Sequence, residues 1–363
     1  MSKRLWVGLD VGLHQTSVCV LNFAGEPVQE VILPTSVETI HGFLRPLRRG
    51  NIEVIAMEAG SIGTYLARGL DRLKYSVAVL EARQISKYLG ITQNKTDRND
   101  ARNIAEVARS GRGIISEVLI KSVECQRIRS MLATRQHFVR MRVGSEASIA
   151  AQFHLYGGKM PRNRSAAMLR RNAISEMTRI RKEQKIDLRP DIEPVLSICE
   201  SLRAYIEHLD RKFAEMAASI EICRRFMELP GVGPIIALSF YSAICEPHRF
   251  ERCKDVGPYL GLVPRVRQSG GTVARLRISK MGNTLTRQHL ATAAMIILRT
   301  TTKDSKLRRW GLELRERRGM GRARMAVARK LAIIMVAMWK RGTTFDPFSD
   351  SDAVSNISIQ TAA

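Results

Sequence analysis

Acidic residues are scarce in this chain: 34 Asp and Glu stand against 59 Lys and Arg over 363 residues, a formal net charge of +25. That imbalance says little about fold and much about partners, which must be polyanionic: nucleic acid or an anionic membrane. Long apolar runs are also missing. The best, Leu331 to Trp339, is about half of the roughly 20 residues that span a bilayer, so a membrane partner is set aside. The chain reaches Asp10 too early to hold the apolar core of a signal peptide. A cytoplasmic, nucleoid-associated location follows as the expectation. Six cysteines are scattered without any Cys-x-x-Cys pair. Cys245, His248 and Cys253 come nearest to a ligand cluster, but zinc favours tighter paired spacing, and reduced structural thiols are the better reading. No internal repeat or low-complexity tract is present.

What is present suits a globular protein. Hydrophobic residues make up 45% of a chain long enough for two domains and a spacer. The stretch Leu5 to Asp10 is an apolar strand that ends on a carboxylate, with Gly12 permitting a tight exit. Thr16–Phe23 and Val28–Leu33 predict a second and third strand returning antiparallel across a turn at Ala24-Gly25-Glu26. A short helix over Glu38–Arg45 stops at Pro46, and Glu53–Glu58 is another apolar strand ending on a carboxylate. A helix over Gly63–Leu73 and a strand over Ser76–Leu80 complete the order βββαβαβ, an α/β mixed sheet covered by helices.

Beyond it, Thr96 predicts an N-cap with Asp97 and Asp100 opening a helix. Simple capping explains that pair, since acids suit the positive end of a helix dipole. Helix continues from 122 to about 155, and a further helical pattern runs from about Pro194 in its first turn to Met227. The latter reads as a helical hairpin or coiled-coil spacer, or as a plain helical subdomain; periodicity does not separate the two. The expected divisions are residues 1–155, 156–226, 227–342 and a polar tail, 343–363. Leu229-Pro230-Gly231-Val232-Gly233-Pro234 ahead of an apolar helix is similar to a helix-hairpin-helix turn, which offers backbone N–H groups to phosphate; a tight turn is the alternative. Residues 263–272 read as a loop with Arg265, Arg267, Ser269, Gly270 and Gly271, continued by Arg275, Arg277 and Lys280. Gly282-Asn283 caps a helix over 285–299, and a last helix runs from Ala323 to Lys340. Two basic stretches, 162–189 with nine Lys/Arg against three acids and 303–330 with eleven against three, suit a phosphate backbone or a solvated face. The net charge favours the first, with affinity falling steeply as salt rises.

Asp10 and Glu58 therefore end strands that neighbour each other in a sheet of this order, and Asp97 and Asp100 open a helix. Carboxylates brought close repel unless a cation resolves them. A pair of Mg²⁺ ions, with Mn²⁺ as a substitute, takes such oxygens and clamps an in-line phosphoryl transfer. The four acids on so basic a chain point to a metal-dependent nuclease-type centre.

Gly8-Leu9-Asp10-Val11-Gly12, Met57-Glu58-Ala59-Gly60 and Lys95-Thr96-Asp97-Arg98-Asn99-Asp100-Ala101 resemble the three acidic motifs of the DEDD insertion-sequence transposases. Residues 229–234, Tyr259–Pro264, Gln268–Gly271 and Ile278–Asn283 resemble that family's C-terminal motifs, in order. The likeness covers about residues 5–340. It implies a ribonuclease-H-like N-terminal half, similar to the Holliday-junction resolvase RuvC, and a mainly α C-terminal domain. It also implies Mg²⁺-dependent DNA strand exchange by a dimer or tetramer, as in related site-specific DNA invertases. A serine nucleophile, mapped to Ser269, would join the acids in catalysis, and for some members a non-coding RNA bridges donor and target DNA. Nucleic-acid contacts are expected from Lys95, Arg98, Gly231, Gly233, Arg265, Arg267, Arg275, Arg277, Lys280 and Arg287. On the residues alone, Ser269 is either a nucleophile beside phosphate-holding arginines or an incidental serine at a hairpin tip.

Three rivals stand beside this reading. Gly8–Gly12 with Thr16-Ser17 also resembles the first phosphate loop of actin-like kinases and ATPases, whose second loop and adenosine motif are absent. A junction-resolving nuclease that uses water needs no serine. A non-enzymatic binding protein with a decayed site fits poorly with four retained acids.

Overall fold

The apolar run around Trp6 forms the middle strand of a mixed five-stranded sheet. The computed structural model describes residues 4–89, 97–110, 115–161, 165–269 and 272–348, and the chain divides into two units, Met1–Ile120 and Lys121–Ala363. In the first unit, β1 (Leu5–Val11), β2 (Gln15–Leu21), β3 (Pro27–Pro34), α1 (Val37–Leu44), β4 (Ile52–Glu58), α2 (Ser61–Arg72) and β5 (Val77–Leu80) follow the order expected from the sequence. α3 (Ala82–Leu89) and α4 (Asp97–Ser110) come next. The strands lie in the order β3-β2-β1-β4-β5. β1 pairs antiparallel with β2 and β2 with β3, whereas β1–β4 and β4–β5 are parallel. That succession is the ribonuclease-H-like arrangement.

Strand alternation sorts side chains to two faces. Val7, Leu9, Ile55 and Met57 are buried with Ile40 and Leu44 of α1 and Leu66 and Leu70 of α2. Trp6, Val54, Ala56 and Ala78 are buried on the other face with Ile104, Val107 and Ala108 of α4. Gly8 makes that second packing possible: a Cβ there would lie 2.1 Å from Ala101 O and 2.4 Å from Ala105 N. Because Gly8 meets Ala101 and Ala105 while Trp6 meets residues later in α4, the helix runs against β1. Its first turn therefore lies towards the Asp10 end of the strand. Its last turn is tied to the β2–β3 turn by Arg109, whose guanidinium donates to Glu106 at 2.8 and 2.6 Å and to Phe23 O at 3.0 Å.

The second unit is built on α5 (Val123–Leu155), α6 (Ala166–Gln184), α7 (Arg189–Ser219), α8 (Glu221–Met227), α9 (Pro234–Ile244), α10 (Val256–Tyr259), α11 (Thr284–Arg299), α12 (Lys306–Arg318) and α13 (Met320–Arg341), with a ribbon of β6 (Pro264–Ser269) and β7 (Thr272–Ile278). One core gathers Phe226, Phe240, Leu290, Val327 and Met335 with Ile128 of α5 and Phe213 of α7. Phe226 meets Phe240 edge-on at 5.5 Å, and Tyr241 stacks on Trp339 at 5.1 Å. The late part of α5 and the early part of α7 share a separate core with α6, through Ile149, Phe153, Leu169, Met177, Ile192 and Leu196. α5 and α7 are thus antiparallel arms of 33 and 31 residues. The arms are laced by the Arg135–Asp210 ion pair and by Arg203, which donates to Glu146 at 2.6 Å.

Two expectations are corrected, and one basic stretch gains a defined structure. The helix expected from about Pro194 to Met227 starts five residues earlier at Arg189, with Pro190 at its start and Pro194 inside it, and breaks at Ile220. Burial of Ile192 against α5 and α6 recruits that extra turn, and a proline this near the N-terminus forfeits little hydrogen bonding. The loop expected over 263–272 is instead mostly a strand of the β6–β7 ribbon, with Ser269 and Thr272 paired at its end. The alternation in Arg265-Val266-Arg267 and Arg275-Leu276-Arg277-Ile278 is the strand signal. Part of the basic stretch 303–330 is the capped helix α12, Ser305 accepting from Arg308 N at 3.2 Å.

Candidate active site

The parallel register of β1 and β4 pairs Gly8 with Ala56 and Leu9 with Met57. One step further along, Asp10 and Glu58 stand on adjacent strands, spaced about 4.8 Å apart. By alternation both belong to the face that α4 covers, since Leu9 and Met57 are buried on the opposite one. Asp10 is half-buried and Glu58 exposed at the strand end. Asp100, half-buried, sits in the first turn of α4, the end of that helix lying towards Asp10. Three of the four acids therefore belong to one rim of the sheet. The side chains of Asp97 and Arg98, and Lys95 as a whole, lie outside the described residues. Among the described residues, no three His, Cys, Asp or Glu side chains are gathered closely enough to hold an ion as they stand.

From the sequence, Ser17 stands out only with Thr16, in the likeness to an actin-like phosphate loop. It is the antiparallel partner of Asp10 across β1–β2, and it is buried. A cavity of about 200 Å³ opens beside it, lined by Ser17, Cys19, Glu30 and Ala101. Cys19 donates to Glu30 at 3.7 Å, and burial, reinforced by that carboxylate, pushes the thiol up to about 12, which disfavours the thiolate. Only the register of a strand pair, which no single stretch encodes, brings Ser17 opposite Asp10.

In the second unit, the backbone of Ser269 ends β6, while its side chain and those of Arg267 and Arg275 lie outside the described residues. Gly270 and Gly271 also lie outside them. Arg265, Arg277 and Lys280 are exposed, and Arg265 donates to Ser279 O at 3.5 Å. The two glycines of the α8–α9 turn differ. Gly231 has a φ of +77, and a Cβ on it would come within 2.8 Å of Ala293 O, so close packing on α11 requires it. Gly233 caps α9 with open space where a Cβ would stand.

Arg287 does not stand where a phosphate-binding residue would. It is buried at 7% exposure, and its guanidinium donates to Leu260 O at 3.0 Å, Met281 O at 2.8 Å and Thr284 Oγ1 at 3.2 Å. It braces the base of the β6–β7 ribbon against α10 and α11. Arg287→Ala should cost about 2 kcal/mol by leaving two carbonyls unpaired. Thermal melting should show that loss while the salt dependence of DNA affinity keeps its slope; a lowered slope would return Arg287 to the DNA contacts.

No described helix is long and apolar enough to cross a membrane. A family model described as "Transposase", for DEDD transposases of the IS110 type, matches residues 7–156, and one described as "Transposase IS116/IS110/IS902 family" matches residues 223–308. The transposase for insertion sequence element IS1111A of Coxiella burnetii is 31% identical over 80% of this chain and 79% of its own. A probable family 20 transposase of Pseudomonas aeruginosa is 28% identical over 81% of this chain and 86% of its own. A solved structure of T. thermophilus RuvC in complex with Holliday junction substrate aligns with 32% of this chain and 99% of its own, at 17% identity and a TM-score of 0.26. With the acidic rim on the N-terminal sheet and the second motif set on the helical unit, the chain belongs to the IS110/IS116 family of insertion-sequence transposases.

Proposed function

We propose that this transposase cleaves and rejoins DNA by a serine nucleophile assisted by the acidic rim. The observation that carries the reading is the β1–β4 register, which sets Asp10 beside Glu58 at the end of the sheet where α4 begins. The donors Asp10, Glu58, Asp97 and Asp100 offer oxygen alone, which suits Mg²⁺ or Mn²⁺. Such an ion, when bound, supplies Lewis-acid stabilisation to the phosphate under attack. The Ser269 hydroxyl attacks phosphorus, a carboxylate of the acidic set takes its proton, and the bond to the 3′-oxygen breaks. A phosphoserine link and a free 3′-hydroxyl result, and attack by another 3′-hydroxyl reverses the step on a new strand. Arg265, Arg267 and Arg275 hold the scissile phosphate, while Lys95, Arg98, Gly233, Arg277 and Lys280 contact the backbone nearby. Donor and target DNA are the substrates, a non-coding RNA guides their pairing, and a homo-oligomer, dimer or tetramer, brings the strands together.

Ser269→Ala decides the central step. With end-labelled donor DNA and Mg²⁺, the wild-type chain should give a covalent adduct that survives denaturing electrophoresis. The variant should give none while still shifting the same duplex in a native gel. An undiminished adduct rules out Ser269. Free cleaved ends without an adduct in the wild type would make water the nucleophile. Sequencing RNA that co-purifies with the chain tests the guide.

A further inference from the structure

The start of α5 and the end of α9 are joined by a set of side chains that strand cleavage does not use. Ser122 caps α5, its hydroxyl accepting from Cys125 N at 3.1 Å, and its own backbone N–H donates to Cys245 Sγ at 3.3 Å. The Cys245 sulfur thus lies at the start of α5, in the same first turn that holds Cys125, 120 positions earlier in the chain. Cys245 ends α9 with a φ of 66, a left-handed conformation unusual for cysteine that aims its sulfur at the α5 N-terminus. Tyr241 donates to Glu124 at 3.4 Å alongside. On the other side Lys121 donates to the Tyr259 hydroxyl at 3.2 Å, that phenol donates to Ala243 O at 3.1 Å, and Arg249 lies 4.2 Å from the Tyr259 ring centre.

This setting treats the two sulfurs differently. Burial pushes the Cys125 thiol up, to about 11, against the pull of the Ser122 hydroxyl. Burial also raises Cys245, but the Ser122 amide, the Cys125 thiol and the Lys121 ammonium outweigh it and leave Cys245 below its ordinary value. Cys245 is half-buried and Cys125 fully buried. One sulfur is therefore both ionised more readily and open to a small reagent, and the other waits behind it.

We propose that Cys245 and Cys125 form a peroxide-reactive thiol pair, with Cys245 the attacking sulfur and Cys125 the resolving one. The Cys245 thiolate attacks one oxygen of hydrogen peroxide; an S–O bond forms, the O–O bond breaks, and hydroxide leaves and is protonated to water. Cys125 gives up its proton and attacks the Cys245 sulfenic sulfur; the S–S bond forms as the S–O bond breaks, releasing a second water. Two thiols lose two electrons and one peroxide is reduced to two waters. The disulfide ties the first turn of α5 to the end of α9, inside the helical unit that carries the β6–β7 ribbon.

The experiment oxidises the full chain with stepwise hydrogen peroxide, blocks remaining thiols with N-ethylmaleimide, and maps peptides by mass. The expected first product joins the Cys125 and Cys245 peptides before Cys253, which is also half-buried, is altered. Cys125→Ser should stop the reaction at a Cys245 sulfenic acid that dimedone traps, and Cys245→Ser should leave Cys125 reduced. Oxidation of Cys253 first, or oxidation of wild-type Cys245 without the cross-link, overturns the proposal. Should either variant fail to fold, limiting iodoacetamide on the wild-type chain decides: Cys245 must react about tenfold faster than Cys253. Equal rates at the two sites would sink the idea.

Discussion

Asp10→Asn is expected to slow DNA strand cleavage by about 1,000-fold or more while leaving DNA affinity and fold in place. Asparagine keeps the shape of aspartate and removes its charge, so β1 and its pairing with Ser17 have no reason to change. What is lost is an anionic oxygen on the rim where Asp10 stands beside Glu58. A cation held there, as proposed, would offset the repulsion of two carboxylates, so removing one would weaken both its hold and its stabilisation of phosphate charge. The loss falls on the chemical step, because most of the groups proposed to bind backbone, Arg265, Arg267, Arg275, Arg277 and Lys280, lie on the ribbon and its flank. Single-turnover cleavage of labelled donor DNA in Mg²⁺ checks the rate, and a native gel checks binding. Glu58→Gln should behave alike, and the double variant should be hardly slower than either alone, since groups that act as a unit do not lose additively. A rate within tenfold of the wild type for Asp10→Asn would remove the acidic rim from the mechanism.

Much of that rim was legible without coordinates. Val7, Leu9, Ile55 and Met57 repeat every second residue, and the turn residues between strands fix the order, so the neighbouring of Asp10 and Glu58 follows from chain order alone. The arm α7 announces itself by apolar spacing over many turns. What stayed hidden depends on partners distant in sequence. Arg287 reads like any surface arginine until the carbonyls of Leu260 and Met281 are found around it. α12 buries little beyond Leu307 and Gly311, so its charge masks its periodicity. The ribbon is disguised by glycine, serine and arginine, residues usual in loops, although its alternation is a strand's. Cys125 and Cys245 look scattered in the sequence because only the meeting of α5 and α9 makes them a pair.

Gly8→Ala is expected to destabilise the N-terminal unit by more than about 3 kcal/mol, although the change adds one methyl group. The position lies in the central strand, where alanine would ordinarily be tolerated. Here the added carbon would stand 2.1 Å from Ala101 O and 2.4 Å from Ala105 N. Those are backbone atoms of α4, which cannot rotate away as a side chain can, so the helix as a whole must lift. Lifting it opens the face where Trp6, Val54 and Ala56 are buried with Ile104, Val107 and Ala108. It also moves Asp100 relative to Asp10, so activity should fall even in molecules that remain folded. Gly42→Ala is the matched control. Gly42 is an exposed position inside α1 with nothing within 4 Å of an added Cβ, and there the same methyl should stabilise by up to about 1 kcal/mol through helix propensity. Opposite shifts in melting temperature should follow, with faster amide exchange along β1 and α4 in the Gly8 variant alone. Equal melting temperatures for the two variants would mean that α4 does not press on β1, and would remove the ground for placing Asp100 beside Asp10 and Glu58.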